Sequence, residues 1–251
     1  MEFSDPENKN PTSQRVKLSS EERVFFVRDM FTRLASRYDL FNRIASLGRD
    51  NFWRKATARR ITILKTGRIL DLAAGTGDQS LANALVNPGA KVVGTDFIYS
   101  MLKIFRGKIK AKAMSGQIVT TAADALHLPF PDESFDSTTI SFGIRNIPDH
   151  LAALKEMNRV LVPGGRSLIL ELTFPSWSLI HRLYDTYLNR VIPILGGLIS
   201  SNPKAYQYLA DSIMDFPSPE EFRRLMETAG FSRTGYIKMT FGVVVIHWGD
   251  K

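Results

Sequence analysis

The sequence predicts an α/β fold, a mostly parallel sheet carrying helices on both faces. Three observations lead there. From Arg68 onward, short apolar and β-branched runs alternate with amphipathic helical segments, the rhythm of strand–helix–strand units. The first such run, "RILDLA", flows straight into Gly75-Thr76-Gly77-Asp78, a glycine-bearing turn that presents backbone N–H groups at a helix start. The next two strand-like runs end in Asp96 and in Ala123-Asp124-Ala125, at the carboxyl ends where open α/β sheets bind ligands.

The elements follow in order. Residues 1–18 are polar and rich in Pro and Asn, the composition of a disordered tail. Residues 19–251 are expected to form a single domain, with 19–66 as an N-terminal helical lid. "SSEERVFFVRDMFTRLASRYDLFN" opens with Ser and acidic residues, and Val24, Val27, Met30, Phe31 and Leu34 recur at helical spacing. A second, basic helix is expected over Asn51 to Leu64. Then come strand "RILDLA", helix "DQSLANALV", strand "AKVVGTD", helix "SMLKIFRGKIKAKAM", and strands "QIVTTAAD" and "FDSTTISFG". Helix "DHLAALKEMNRVL" is expected to end at Pro163-Gly164-Gly165, before strand "RSLILELT". Residues 174–216 read as a helical insertion, with Leu179, Ile180, Leu183, Tyr184, Tyr187, Leu188 and Val191 as an apolar stripe. "SPEEFRRLMETAGF" is a capped helix, and "RTGYIKMTFGVVVIHWG" gives two closing strands around a Gly.

Composition narrows the chemistry. The chain has 251 residues, 44% hydrophobic, enough for a sizeable core. It has no Cys, which removes disulfides, thiolate metal sites and Cys nucleophiles. Its four His, at 127, 150, 181 and 247, are scattered, and no metal site is expected. The N-terminus has no apolar signal region, so a cytoplasmic location is expected. The net charge of +8 suits nucleic acid, an anionic membrane surface or an anionic substrate. The basic residues are dispersed, with no Arg-rich stripe or aromatic–basic interleaving, so no nucleic-acid partner is expected.

The turn and the two strand ends select among nucleotides. A dinucleotide fingerprint wants a third glycine where Ser80 stands. Asp78 puts an anion where a pyrophosphate needs donors, and suits the cationic end of a methionine moiety. Gly75 and Gly77 then floor the site. Asp96, nineteen residues after Gly77, can accept from a ribose diol. Asp124 can accept from an adenine amino group. Asp71, in the strand leading to the glycines, is counted with this site. Ribose, adenine, a cation and no phosphate describe S-adenosylmethionine. Each feature has a bland counterpart: a tight turn, a cap for the helix from Ser100, a turn residue before Leu128-Pro129. Their order at successive strand ends favours the ligand.

These residues carry a family resemblance. The chain resembles the quinone C-methyltransferases of menaquinone and ubiquinone biosynthesis from about Met30 to Gly249. The resemblance rests on "MFTRLASRYDLFN", "LDLAAGTGD", "ISFGIRN", "PGG" followed by "LEL", "YQYLADSIMDFP" and "GVVVIHWG". "RYDLFN" and "SFGIRN" are the restrictive motifs. The closing "TFGVVVIH" departs from the pattern, in which many members have smaller residues and a second Gly before "GV". The resemblance implies a class I methyltransferase with a Rossmann-like, seven-stranded sheet, and a prenylated quinol as methyl acceptor. It puts cofactor contacts on Thr76, Asp96, Asp124, Ala125 and Ser141. Arg145, past the fourth strand, would stabilise a phenolate; its bland role is a salt bridge with Asp149. Asn146 would bond a ring oxygen or cap the helix near Asp149. Tyr38 would stack or hydrogen-bond under the lid, and Asp39 would relay a proton; both could simply end a helix. His247 is a candidate base or a buried strand His. The insertion would hold the prenyl tail, form a homodimer face, or rest on a membrane through Tyr, Trp, Arg182 and Arg190.

Overall fold

The computed structural model describes residues 19–175, 178–199 and 203–251; the expected tail and Trp177 lie outside them. Helix α1 (Ser20–Leu34) starts at a capping box. The Ser19 hydroxyl accepts from Glu22 N, and the Glu22 carboxylate accepts from Ser19 N. A single 3₁₀ turn (Ala35–Arg37) leads into α2 (Tyr38–Ala45), followed by α3 (Asp50–Ala58).

The sheet is built from β1 (Arg68–Leu72), β2 (Lys91–Asp96), β3 (Ile118–Ala122), β4 (Phe135–Ser141), β5 (Leu161–Leu172), β6 (Arg233–Met239) and β7 (Val244–Asp250). The order is β3-β2-β1-β4-β5-β7-β6. β1 to β5 are parallel, and β7 is antiparallel to both β5 and β6. The chain leaves β1 outward to β3 and returns on the other side at β4, so the crevice opens above β1 and β4. The intervening helices are α4 (Asp78–Val86), α5 (Tyr99–Ala111), α6 (His150–Arg159) and α10 (Pro219–Thr228). The insertion supplies α7 (Ser178–Thr186), one π turn (Tyr187–Val191), α8 (Ile192–Ile199) and α9 (Pro203–Met214). Among the described residues no helix is long and apolar enough to cross a membrane.

Three expectations change. The basic helix stops at Ala58. Beyond it the chain is pinned to the amino end of β4. Leu64 N, Thr66 N, Thr66 Oγ1 and Gly67 N all donate to the Asp136 carboxylate at 2.8–2.9 Å. These bonds hold its pKa below the usual range, against a desolvation that pushes upward. α3 itself packs Trp53 and Ala56 onto Leu168, Leu170 and Ile246, while α1 and α2 bring Val24, Val27, Phe31 and Tyr38 to the crevice wall. The Pro-Gly-Gly segment lies inside β5 as an irregularity: Phe135 pairs with Leu161, but Ser137 with Arg166. A Cβ on Gly165 would stand 2.8 Å from Val162 O, closer than a side chain tolerates. The insertion's stripe divides. Tyr184 and Leu188 are buried with Ile192 against Phe41 of α2, while Leu183 and Val191 face out.

Candidate active site

Gly75, Asp96, Asp124, Ala125 and Ser141 converge on one cavity of about 170 Å³ above β1 and β2. Asp96 is 6% exposed and ties the crevice together: Oδ2 accepts from Gly75 N and Oδ1 from Ile98 N, each at 2.8 Å. Burial raises its pKa, against the pull of these amides. Asp124 Oδ1 accepts from Leu126 N at 2.9 Å, and Ser141 Oγ donates to Gln79 Oε1 at 2.9 Å. The two residues that turn the chain out of β1 and β4, Ala73 (φ 46°) and Phe142 (φ 58°), are both left-handed and both line this cavity. A left-handed residue without glycine's freedom is costly, and such residues gather at functional sites.

The charge of this wall tests what fits. Among the described lining residues Asp96 and Asp124 are anionic, and none is Lys or Arg. A pyrophosphate would find no cationic partner there. A cationic, phosphate-free nucleoside fits: carboxylates for the ribose and adenine edges, and Phe97, Ile98 and Leu126 for the base.

Four residues expected at this site sit behind it. Gly77 (φ 89°) is glycine because of the core: a Cβ would stand 1.9 Å from Phe105 Cδ2. The close approach that excludes a side chain there comes from Phe105. Asp71 is fully buried and accepts from Ser80 Oγ (2.5 Å) and Thr139 Oγ1 (2.7 Å); burial pushes its pKa up to about 6. Thr76 and Asp78 join a charged latch. The Lys108 ammonium from α5 meets Asp78 Oδ1 and Asp39 Oδ2, both at 2.6 Å, and donates to Thr76 Oγ1 at 3.2 Å. Thr76 Oγ1 donates to Asp39 Oδ1 at 2.5 Å. Asp39 thus tethers α2 to the glycine turn.

A second cavity, of about 310 Å³, lies between α2, α3 and the insertion. It shares Phe31, Tyr38, Phe142 and Asn146 with the first, so the two meet at a common wall. Leu34, Phe41, Leu188 and Ile213 make it strongly apolar. At the junction Arg145, 8% exposed, is held by Glu171 Oε1 (2.5 Å) and Phe142 O (2.8 Å). Its ion-pair partner is Glu171 of β5, not Asp149. Burial works against the guanidinium's charge, yet the Glu171 carboxylate prevails and holds its pKa above the ordinary value. Arg145 Nε is buried with no partner, while the residue as a whole lines the cavity. Asn146 Oδ1 accepts from Tyr208 OH at 3.2 Å; the cap of α6 is Asp149, which accepts from Ala152 N.

Two residues here escaped the sequence reading. Asp50 and Arg54, one turn apart on α3, are 4% and 6% exposed and both line the apolar cavity. Their signal was a charge pair at i, i+4 flanking Trp53 in "DNFWRK", a pattern that ordinarily marks a solvated helix face.

His247 lies apart from both cavities. It is fully buried beside Phe222, ring centroids 4.8 Å apart, and Nε2 donates to Pro219 O at 3.0 Å. Burial lowers its pKa to about 4. The unfolded chain therefore takes up the proton first, and the His247 contribution to stability is lost as pH falls from about 6.5 towards 4. By pH 4.5 that loss reaches about 2–3 kcal/mol. Asp71 works the other way, because its raised pKa favours the protonated native state over much of the same window. Urea titrations at pH 6.5 and 4.5 should show His247→Gln losing less stability on acidification than wild type; equal losses would remove His247 as the cause. Separately, Asp96→Ala should weaken binding of the methyl donor at least 100-fold by calorimetry, since it deletes both the diol acceptor and the anchor of Gly75. Wild-type affinity in that variant would end the ribose assignment.

The model of the family described as "ubiE/COQ5 methyltransferase family" matches residues 16–251. The chain is 47% identical to a demethylmenaquinone methyltransferase of Thermus thermophilus, over 88% of this chain and 100% of that one. It is 45% identical to the ubiquinone/menaquinone biosynthesis C-methyltransferase UbiE of Geobacter sulfurreducens, over 90% and 88%. Among solved structures, a SAM-dependent methyltransferase of Thermotoga maritima aligns with a TM-score of 0.62 at 21% identity, over 89% of this chain and 98% of that one. That likeness carries the fold.

Proposed function

The chain belongs to the ubiE/COQ5 methyltransferase family, and from that premise we propose that it methylates a ring carbon of a prenylated quinol, demethylmenaquinol or the methoxy-polyprenyl-benzoquinol of ubiquinone synthesis. The observation that carries this reading is the shared wall. An acidic, nucleoside-sized cavity and a long apolar one meet at Phe31, Tyr38, Phe142 and Asn146.

S-adenosylmethionine, when bound, supplies a methyl group made electrophilic by a cationic sulfur. Gly75, Asp96, Asp124, Ala125 and Ser141 would hold it. The remaining work falls to the second cavity. A quinol carbon becomes nucleophilic as its neighbouring hydroxyl loses a proton. Arg145, which lines that cavity, stabilises the oxygen anion in a dry site, where a fixed charge acts more strongly than in water. Asp50 is the carboxylate among the described lining residues and is within the cavity to accept that proton. Burial raises the pKa values of Tyr184 and Tyr208, so both stay neutral and act as hydroxyl donors. Tyr38 and Phe142 close the wall against water. The prenyl tail lies along Leu34, Phe41, Leu188 and Ile213, each buried CH₂ contributing about 0.8 kcal/mol.

The outer face of α2 favours delivery from a lipid surface. Leu40 and Ile44, four apart on α2, and Leu47, in the turn that follows it, are all exposed, and Leu47 also lines the apolar cavity. Arg43 and Arg49 flank them. Leu47→Ser should halve or more the fraction that sediments with anionic vesicles; unchanged sedimentation would place the membrane face elsewhere.

The function is tested with purified protein, labelled methyl donor and each reduced quinone in turn, the product read by mass spectrometry. Label appearing on a ring carbon of one of the quinols is the expected result. Label appearing only on a sterol or a small phenol would reassign the acceptor.

A further inference from the structure

Among the described residues, Arg54 is a cation whose burial the fold leaves unexplained. It is 6% exposed, its Nε is buried without a hydrogen-bond partner, and it lines the apolar cavity. Among the described residues no carboxylate forms an ion pair with it. The natural candidate, Asp50 one turn earlier on α3, is bonded to Arg43 at 2.9 Å. Its guanidinium lies over the Phe142 ring instead, 5.1 Å from the centroid. A cation–π contact returns only a small part of what removing a guanidinium from water costs. Asp71 feels its charge through space, but that carboxylate is already served by the Ser80 and Thr139 hydroxyls.

Phe142 links Arg54 to the reaction. Its carbonyl holds Arg145 at 2.8 Å while its ring carries Arg54. Two buried guanidiniums, each with an unpartnered Nε, thus flank one residue at the junction of the cavities. A quinol has two oxygens at opposite ends of its ring. We propose that Arg54 is a substrate contact, binding the ring oxygen para to the one held by Arg145. The inference rests on the quinol reading above. It makes the site selective for a para-diol: a phenol with one oxygen leaves Arg54 buried and unanswered, and a site built to bond a polar group rejects the analogue lacking it.

The test pairs two acceptors with two enzymes. The acceptors are a short-chain prenylated naphthohydroquinone and its analogue lacking the far hydroxyl, assayed by kcat/KM or, where turnover is too slow, as a competitive inhibitor. The wild type should prefer the diol at least tenfold. Arg54→Met should erase most of that preference while cofactor affinity by calorimetry stays unchanged, and Arg54→Lys should restore part of it. Should Arg54→Met fail to fold, Arg54→Gln carries the same comparison. A variant that loses the same factor on both acceptors, or on neither, overturns the proposal and leaves Arg54 as a countercharge for Asp71. A wild type inactive towards every quinol overturns the quinol reading, and the assignment with it.

Discussion

Arg145→Ala is expected to abolish methyl transfer and, at the same time, to destabilise the protein by about 3–5 kcal/mol. Both effects come from one arrangement. Glu171 is fully buried, and its main compensation is the Arg145 guanidinium at 2.5 Å. Removing one member of a buried pair leaves an uncompensated charge, which costs more than the intact pair contributes. Lost activity in this variant would therefore say little about chemistry. Arg145→Lys separates the two. It keeps a cation for Glu171 but lacks the planar fork of donors. Its thermal midpoint should stay near that of wild type and its donor affinity should be unchanged. Its single-turnover rate should fall about 100- to 1,000-fold, the range seen when one donor to a developing oxyanion is removed. A lysine variant with the wild-type rate would take Arg145 out of the reaction and leave it a structural ion pair.

Gly77→Ala is the second large effect, and it should be one of stability. The left-handed backbone at φ 89° costs about 1–2 kcal/mol for a residue with a Cβ. The new methyl would overlap Phe105, which is fully buried, and overpacking adds about 1–3 kcal/mol. Together these predict a midpoint lower by roughly 5–15 °C for a chain of this size. Gly75→Ala gives the contrast. Its Cβ would meet only Tyr38 Cε1, at 4.0 Å, so it should melt closer to wild type while disturbing the site. A Gly77→Ala melt matching wild type would show that Phe105 yields. A Gly77→Ala/Phe105→Ala double variant, more stable than additivity allows, would locate the clash directly.

The two glycines mark where the sequence was legible and where it was not. Strand ends could be read, because the alternation of apolar runs and turn residues is local. Asp96 and Asp124 follow from that alternation, and both line the cavity. The glycine turn could be read as a turn, but not which glycine faces the crevice, because Phe105 arrives from α5, 28 positions on. Asp71 and Asp78 looked free for a ligand and Asp39 for a proton, because their partners Lys108, Thr139 and Ser80 come from other elements. Arg54 and Asp50 failed for the opposite reason. Charges on a helix at i, i+4 ordinarily face water, and only the tertiary position of α3 turns them inward. His247 showed the same limit: nothing local distinguishes a reactive His from one packed between Phe222 and Tyr236.

The Lys108 latch gives the cover over the crevice a dependence that an apolar lid would lack. Asp39 reaches across from α2, and Asp78 and Lys108 belong to the body beneath. All three side chains are partly exposed, so dissolved ions compete for them. Raising ionic strength should speed the exchange of spent donor for fresh by easing α2 away, up to the point where the loosened cover also admits water to the transfer step. The enzyme's turnover would then pass through a maximum as potassium chloride is added.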